Sequence, residues 1–398
     1  MNTDFLKYQA QTSPYPLGME ISYAKGSYIY DSNNKKYLDF VAGVSACTLG
    51  HQPTKVNQAI KDQLDKYSHV MVYGEYSQGP AVEYCKLLAS LLPAPLDKTY
   101  LVNSGTEAIE GALKLARRVT GRSQLISCHN AYHGNTMGSL SIMGFEERKQ
   151  IFRPLIPDVD FITFNNEADL AKITTRTAGI VLETIQGGAG FIQPHNDFLK
   201  KVRERCTEVG ALMILDEIQP GFGRTGKLFG FQNYDVVPDV VVMGKGMGGG
   251  MPVGAFTAST AMMDLLSDNP KLGHITTFGG HPVIASACLA TLQEITETDL
   301  MPKALDKERL FKSLLVHPLI QEVRGKGLML AAMTDSPATT NEVILKCQDR
   351  GLILFWLLFE GCAIRITPPL TISDDEIHEG CAIILAVMDE IILSTKSD

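Results

Sequence analysis

Seven short apolar segments between residues 99 and 259 constrain the fold of this chain more than any other feature of its sequence. They are TYLVN (99–103), QLISC (124–128), DFITF (160–164), GIVLET (179–184), ALMILDE (211–217), DVVVMGK (239–245) and GAFTAS (254–259). Apolar and polar residues alternate little within them, which is typical of strands buried on both faces. Because helical stretches such as 106–119 separate the segments, the pattern predicts βαβ units and an α/β fold with a mostly parallel, seven-stranded sheet.

The two ends of the chain predict a second, smaller α+β unit. Residues 20–41 alternate around Gly26 and the DSNNKK turn, as in a β-hairpin or meander. Helices are predicted at 55–66, 282–297 and 374–393, and strands after 325 and at 363–367. We therefore predict an N-terminal segment of the small domain at 1–55, a large domain at 56–298 and the C-terminal part of the small domain at 299–398.

The net charge and the spacing of the cysteines limit the partners and the cellular location that we expect. The 36 basic and 44 acidic residues give a net charge of −8, which offers no electrostatic support for a nucleic-acid partner. The N-terminus lacks the basic start and apolar core of a signal peptide, and the longest apolar run, 352–359, is too short to cross a membrane. Eight scattered cysteines without a CxxC pair do not resemble a zinc ribbon or a disulfide framework. We expect a cytoplasmic protein without a membrane or nucleic-acid partner.

Polar residues close several of the predicted strands, where ligands of open α/β sheets bind. Lys245 follows VVVMG and precedes a run of glycines. Burial lowers the pKa of a lysine and makes its amine nucleophilic, as Schiff-base lysines require, although a lysine that reaches the surface fits the same pattern. Asp216 ends ALMIL, and a carboxylate at the mouth of a sheet needs a cationic partner. The ring nitrogen of pyridoxal phosphate is one such partner, and an N-cap or a salt bridge is the alternative.

The segment Ser104-Gly105-Thr106 precedes a predicted helix, whose N-terminus favours phosphate. A capping box between Ser104 and Glu107 fits the same residues. Tyr132, in the YHG segment, either stacks on a flat cofactor ring or belongs to the core. No metal site is predicted, because HNAYH (129–133) lacks the glutamate of the HExxH motif. A dinucleotide-binding loop is not predicted either, because GFGRTG (221–226) does not join a strand directly to a helix.

Eight segments together resemble one enzyme family over about residues 15–385. They are, in order, NSGTEAIEGALKLAR, AYHG, VLETIQGGAGF, LDEIQPGFGRTG, MGKGMGGGMPVGA, HITTFGGHP, VRGKGLML and IRITPPLTIS. The chain is similar to class III aminotransferases of the pyridoxal-phosphate-dependent fold type I, a group that includes acetylornithine and ornithine aminotransferases. The most specific part is DEIQ-x-GFGRTG followed by a glycine-flanked lysine, 29 residues after Asp216.

The resemblance implies pyridoxal 5′-phosphate as cofactor and a homodimer with active sites at the subunit interface. It implies that Lys245 bonds covalently to the cofactor and then moves the substrate proton, and that Asp216 pairs with the ring nitrogen. The other implied cofactor contacts are Gln219 with the ring hydroxyl, Tyr132 stacked on the ring, Ser104, Gly105 and Thr106 on the phosphate, Glu183 near Asp216 and Gln219, and Thr277 on the phosphate bound by the other subunit. Arg365 is implied to bind the substrate α-carboxylate, and Tyr15 to enter the substrate site. Phe355 and Trp356 add an apolar wall to that site or form an ordinary core strand.

Two positions depart from the family pattern. Asn135 stands where many relatives that use ornithine-type donors carry arginine, and Gly188 stands where they carry glutamate. The predicted activity is transfer of an amino group from an ornithine-type or other ω-amino donor to a keto acid, 2-oxoglutarate or pyruvate, by a ping-pong mechanism. The alternatives are an isomerase, racemase or decarboxylase on the same fold, and a catalytically silent structural or regulatory homologue.

Overall fold

The computed structural model describes residues 3–71 and 74–395. Its strands are β1 (Ile21–Lys25), β2 (Tyr28–Asp31), β3 (Lys36–Asp39), β4 (Lys98–Val102), β5 (Gln124–Cys128), β6 (Val159–Ile162), β7 (Thr177–Glu183), β8 (Leu212–Asp216), β9 (Val240–Gly244), β10 (Gly254–Ala258), β11 (Ile320–Lys326), β12 (Met329–Thr334), β13 (Leu352–Ile353), β14 (Phe355–Trp356) and β15 (Ala363–Ile366). Its helices are α1 (Thr3–Tyr8), α2 (Ala42–Ser45), α3 (Thr54–Leu64), α4 (Gly79–Leu91), α5 (Gly105–Thr120), α6 (Met137–Ser141), α7 (Phe198–Val209), α8 (Thr260–Met263), α9 (Pro282–Glu297), α10 (Leu300–Leu314), α11 (Pro337–Asp349) and α12 (Asp374–Thr395).

The central sheet contains the seven strands predicted from the apolar segments, in the order β4-β10-β9-β8-β7-β5-β6. β10 is antiparallel to both of its neighbours, and the other paired strands are parallel, so the prediction of a mostly parallel sheet is confirmed. Because β10 runs against both β4 and β9, those two strands point in the same direction. The carboxyl ends of β4, β7, β8 and β9 therefore meet at one edge of the sheet.

Successive residues of the central strands enter two different hydrophobic cores. Along β8, Met213 and Leu215 pack in one core, while Ile214 packs in the other. All residues of β8 and of its neighbour β9 are buried. Since neither face of these strands is exposed to water, both faces are apolar, and this explains why the segments read as continuous apolar runs.

Helix α5 lies directly on the sheet and points its N-terminus at the edge where the strands end. Its buried face consists of Ala108, Ile109, Gly111, Ala112, Leu113, Leu115 and Ala116. A Cβ added at Gly111 would lie 2.3 Å from the ring of Phe256 on β10, so glycine permits this close approach. Gly121 ends the helix in the left-handed conformation, with a φ of 67°.

Residues from both chain ends share a third core. β11, β12, β15 and β14 form an antiparallel sheet, and β3 of the N-terminal sheet pairs with the C-terminal strand β13. Leu38 and Phe40 pack with residues of α10, α11 and α12. The prediction of a smaller domain built from both ends of the chain is confirmed, while its exact boundaries stay predictions.

Two structural findings concern membrane-spanning helices and disulfide bonds. Within residues 3–71 and 74–395, no helix combines the length and the apolar character needed to span a bilayer. The eight cysteines all lie in this part of the chain, and each is a free thiol.

Candidate active site

Three strand ends place three titratable side chains side by side. Glu183 ends β7 and Asp216 ends β8, and the two residues are direct neighbours in the parallel pairing. Lys245 is the first residue after β9 and has a φ of 45°, a left-handed conformation that is unfavourable for a lysine. Such strained backbone persists only where the surrounding structure holds it, and it is concentrated at functional sites.

The Asp216 carboxylate is buried and held at both oxygens. Its Oδ1 accepts a hydrogen bond of 2.9 Å from the backbone N–H of Ile218, and its Oδ2 lies 2.8 Å from Nδ1 of His133. The side chain of His133 is fully buried, and its Nε2 has no partner among the described residues. A proton on Nδ1 fits this arrangement, because this nitrogen then donates to the Asp216 carboxylate. Asp216 keeps lone pairs free for a further cationic donor.

Glu183 is a buried acid that ties two loops to the strand end. It accepts hydrogen bonds from the backbone N–H groups of Gly187, at 3.0 Å, and Tyr132, at 3.3 Å. Burial raises the pKa of Glu183 to about 7, and the nearby charge of Asp216 acts in the same direction. A Cβ added at Gly187 would lie 3.0 Å from both the Glu183 Oε1 and the Gln219 Oε1, so Glu183 and Gln219 approach the same loop.

Lys245 lies in surroundings that favour its neutral amine. Burial lowers the pKa of Lys245, and the charge of Arg365 lowers it further, while Asp216 and Glu183 oppose the shift. No described residue accepts a hydrogen bond from its Nζ. An amine of this kind is available both as a nucleophile and as a base.

The N-terminus of α5 presents backbone N–H groups at the same edge. Neither Gly105 nor Thr106 gives its N–H to another described group, and the N-cap Ser104 accepts from the Glu107 N–H at 3.3 Å. Glu107 does not complete the predicted capping box, because its carboxylate accepts from the backbone N–H of Asn103, at 2.7 Å, instead of from Ser104. The free N–H groups and the positive end of the helix dipole fit a phosphate.

The hydroxyl of Thr106 is engaged elsewhere. It lies 2.7 Å from the Thr136 Oγ1 and 2.7 Å from the Ser139 Oγ. A Cβ added at Gly134 would meet the Thr106 Oγ1 at 2.3 Å, so the glycine lets the two loops close on each other. In this structure Thr106 therefore offers its backbone N–H to the site, while its hydroxyl joins the loops.

Arg365, on β15, is a buried cation with unused hydrogen-bonding capacity. It is 5% exposed, and its Nε and Nη2 each donate to the Trp356 carbonyl at 3.4 Å. Its Nη1 is buried without a partner among the described residues. Burial lowers the pKa of Arg365 to about 10. Because no described carboxylate pairs with this guanidinium, a ligand carboxylate is the group that best accepts from its free N–H donors.

The other predicted residues differ in whether they contact the rest of the site. Asn135 is exposed, and its Nδ2 donates to the Tyr132 hydroxyl at 3.1 Å, which keeps both residues together at the site. Gln219 donates to the Ser45 Oγ at 3.3 Å. Thr277 is exposed on the loop before α9, and the side chain of Tyr15 is 87% exposed. No hydrogen bond or ring contact between described residues joins Thr277 or Tyr15 to the other site residues, and their roles stay predictions.

Sequence reasoning missed two residues of the site. His133 was considered only as one of the two histidines of HNAYH, a spacing that does not predict a zinc site. Its place beside Tyr132 in the YHG segment could have indicated a role in the site. Ser45 lies in the turn α2, where residues 42–45 all have positive φ, and no local pattern predicts its contact with Gln219. Among the described residues, no group of three or more His, Cys, Asp or Glu side chains is arranged to hold a metal ion.

The parallel sheet with a buried lysine and a buried aspartate at its edge, beside a free helix N-terminus, is the arrangement expected of a pyridoxal-phosphate-dependent enzyme of fold type I. The chain belongs to the class III aminotransferase family, whose model, described as "Aminotransferase class-III", matches residues 8–388. It is therefore an aminotransferase with pyridoxal phosphate as its cofactor, and these predictions from the sequence are confirmed.

Proteins similar to this chain are named as aminotransferases or transaminases. The [LysW]-aminoadipate semialdehyde/glutamate semialdehyde transaminase of Sulfolobus acidocaldarius is 35% identical over 368 residues, which cover 91% of this chain and 93% of that protein. The acetylornithine aminotransferase of Bacillus subtilis is 36% identical over 369 residues, covering 91% and 93%. Among solved structures, an ornithine aminotransferase from Toxoplasma gondii with partial occupancy of PLP at its active site superposes with a TM-score of 0.91 at 29% identity. That comparison covers 98% of this chain and 94% of the other.

Proposed function

We propose that this aminotransferase moves an amino group from an ω-amino donor, of ornithine type or another, to a keto acid, either 2-oxoglutarate or pyruvate, in two ping-pong halves. The observation that carries the proposal is Arg365, a buried guanidinium that pairs with no carboxylate in the described part of the chain and whose charge acts on Lys245. A buried amine with a lowered pKa, near a guanidinium that pairs with no described carboxylate, suits an amino-acid or keto-acid substrate. The names of the relatives, which concern ornithine-type and semialdehyde substrates, support the donor class.

Each residue at the strand ends has a role in this proposal. When bound, pyridoxal phosphate supplies a carbonyl for the donor nitrogen and an electron-accepting ring. Lys245 holds the cofactor and moves the substrate proton through its Nζ, for which its lowered pKa suits it. Asp216, oriented by His133, keeps the ring nitrogen protonated. Gln219 would bind the ring hydroxyl and Tyr132 would stack on the ring, while Glu183 holds the backbone of Tyr132 and Gly187 through hydrogen bonds.

The phosphate is proposed to bind at Ser104, Gly105 and Thr106, with a contribution from the partner subunit's Thr277. The loop that carries Thr277 supports the homodimer, because Ile275 and Phe278 beside it are 44% and 53% exposed. Large apolar side chains exposed together on a loop favour burial against another copy of the chain. A dimer would bury this loop and bring Thr277 to a neighbouring site.

The proposal is tested with Lys245→Ala and with Lys227→Ala as the control, since Lys227 is an exposed lysine close to the site in sequence. The wild-type protein and the control are expected to show cofactor absorbance that changes when an ω-amine is added. In Lys245→Ala the response to amines is lost. A second assay follows glutamate from 2-oxoglutarate and alanine from pyruvate, with a panel of amine donors that includes N-acetylornithine and ornithine.

The outcomes separate the parts of the proposal. Glutamate or alanine formed in step with donor consumption supports transfer, and the panel identifies the donor. Normal turnover by Lys245→Ala would show that the assignment of the lysine is wrong. Consumption of an amine without any amino-acid product would show that the keto-acid half is wrong.

A further inference from the structure

Arg324 joins the sheet of the small domain to the loop that follows β7 of the central sheet. It belongs to the VRGKGLML motif, residues 323–330, and lies on β11. Its Nε donates to the Gly190 carbonyl at 2.6 Å, and its Nη2 donates to the Ala189 carbonyl at 3.2 Å. One guanidinium therefore fixes two successive carbonyls, which a planar fork of donors does well.

We name residues 186–192 the β7 loop. Its two ends pair with each other, because Gln186 and Ile192 exchange backbone hydrogen bonds of 2.9 and 3.1 Å. Near its start, the Gly187 N–H donates to the carboxylate of Glu183 at the strand end. A Cβ added at Gly190 would lie 1.9 Å from the Arg324 Nη2, so a side chain at this position would displace the guanidinium. The β7 loop thus connects the candidate site with Arg324.

Phe191 is a strained residue of the β7 loop. Its φ of 57° is left-handed, which is unfavourable for an aromatic residue. Its side chain is fully buried in a small core that includes Met329 and Leu357. Strained backbone persists only where the surrounding structure holds it. The peptide group that precedes Phe191 carries the Gly190 carbonyl, and this is a carbonyl that Arg324 binds.

The Phe191 ring in turn lies against Arg365. The Arg365 Cζ is 5.9 Å from the centre of that ring, a distance that permits a cation–π contact. The same guanidinium donates to the Trp356 carbonyl from its Nε and Nη2. A carbonyl and a ring thus locate Arg365, and a displacement of Phe191 would remove one of these two supports.

The charge of Arg324 is paired, unlike that of Arg365. Its Nη1 donates to the Glu322 Oε1 at 3.4 Å, and its Nη2 lies 3.9 Å from the Glu360 Oε2. Two acids and two carbonyls therefore surround this guanidinium. Since Arg324 already has anions beside it, its contacts suit a residue that holds a loop, whereas Arg365 suits a ligand for a substrate carboxylate.

We propose that Arg324 is a positioning residue for amino-group transfer and acts through Arg365. By holding two carbonyls of the β7 loop, it keeps the Phe191 ring against the Arg365 guanidinium. That guanidinium then stays where it meets the carboxylate next to the substrate carbonyl. The inference rests on the proposed function, in which Arg365 binds this carboxylate. Arg324 itself touches neither the substrate nor the cofactor.

The test compares a keto acid with the aldehyde that lacks its carboxylate, either 2-oxoglutarate with succinate semialdehyde or pyruvate with acetaldehyde. The kcat and KM of the acceptor half-reaction are measured for wild type, Arg324→Gln, Arg324→Lys and Arg118→Gln. Arg118, on α5, is the matched control, because its Nε and Nη2 also donate to two backbone carbonyls, those of Leu265 and Asp268. Lysine at 324 keeps the charge but replaces the planar fork by one ammonium group.

Wild type and Arg118→Gln are expected to use the keto acid far better than the aldehyde. Arg324→Gln is expected to lower kcat/KM for the keto acid roughly tenfold to a hundredfold, mainly through KM, since small displacements of a positioning group have effects of this size. Its kcat/KM for the aldehyde is expected to stay unchanged, and Arg324→Lys is expected to lose less. In an Arg365→Gln background, Arg324→Gln is expected to have little further effect, because the residue through which it acts is absent.

Two results would overturn the inference while leaving the proposed function intact: an equal fall with both acceptors, or independent effects of the Arg324 and Arg365 variants. Either result would make Arg324 a structural contact alone. If Arg324→Gln does not fold, Arg324→Lys allows the same comparison of acceptors. A wild type that does not distinguish the keto acid from the aldehyde would overturn the assignment of Arg365 in the proposed function, and the inference with it.

Discussion

The imidazole of His133 and the carboxylate of Asp216 lie 2.8 Å apart, with both side chains buried at the mouth of the sheet. This pair orients the carboxylate that is proposed to meet the ring nitrogen of the cofactor. His133 reaches Asp216 from the loop after β5, whereas Asp216 ends β8, so the contact joins two separate βα loops. Removal of the imidazole would leave the Asp216 carboxylate with the Ile218 N–H as its remaining donor among the described residues.

His133→Phe is expected to lower kcat/KM about tenfold to a hundredfold, because a buried carboxylate that loses a partner costs roughly 1–3 kcal/mol. His133→Asn keeps an N–H donor and is expected to lose less. Steady-state kinetics and cofactor absorbance after dialysis measure both effects. Equal activity in wild type and His133→Phe would contradict the orienting role.

Ser104 offers a separation of two roles at the N-terminus of α5. As an N-cap, its replacement by alanine is expected to lower the free energy of unfolding by about 1 kcal/mol, and its replacement by glycine by only a few tenths. As a phosphate ligand, its hydroxyl is lost equally in both variants. Denaturation of the apoprotein reports the cap, and titration with pyridoxal phosphate reports the ligand. Unchanged cofactor affinity in both variants would leave Ser104 as a cap alone.

Gly188 and Phe359 are predicted to be coupled. Gly188→Ala is expected to lower the free energy of unfolding by about 1–3 kcal/mol, since its Cβ would meet the Phe359 ring at 2.8 Å. In a Phe359→Ala background the same change is expected to cost much less. A double-mutant cycle from urea denaturation measures this coupling. Additive effects would show that the ring moves aside without cost.

Glu183 is expected to make stability depend on pH. Burial raises its pKa from 4.5 to about 7 in the folded chain, so the folded state holds the proton more tightly than the unfolded state does. The resulting stabilisation is fully present below about pH 4.5 and is lost as the pH rises through 7; it amounts to about 3 kcal/mol. Glu183→Gln is expected to reduce the fall in unfolding free energy over this window.

A second buried acid, Glu217, contributes to the same pH dependence. Burial also raises the pKa of Glu217 to about 7, so part of the slope is expected to remain in Glu183→Gln. Urea denaturation of the apoproteins at pH 5, 6, 7 and 8 resolves the difference. Identical pH profiles for wild type and Glu183→Gln would show that the proton on Glu183 makes no contribution.

The sheet and the line of candidate residues at its edge were predictable from local patterns. Strands buried on both faces need continuous apolar segments, and the chemistry at their carboxyl ends needs polar residues there, so Glu183, Asp216 and Lys245 were visible in the sequence. The ordered motifs then indicated the family and the cofactor. These features were predictable because each depends on residues close together in the chain.

Contacts between distant segments were decided only by the tertiary structure. His133 meets Asp216 across 83 positions, Gln219 meets Ser45 across 174, and Arg148 meets the Leu358 carbonyl across 210. No periodicity records such contacts, because they depend on how loops from different strands pack at one edge. The motifs in the chain thus indicate which chemistry is present, whereas the packing of the loops sets which charges are paired and which, such as Arg365, meet no described carboxylate.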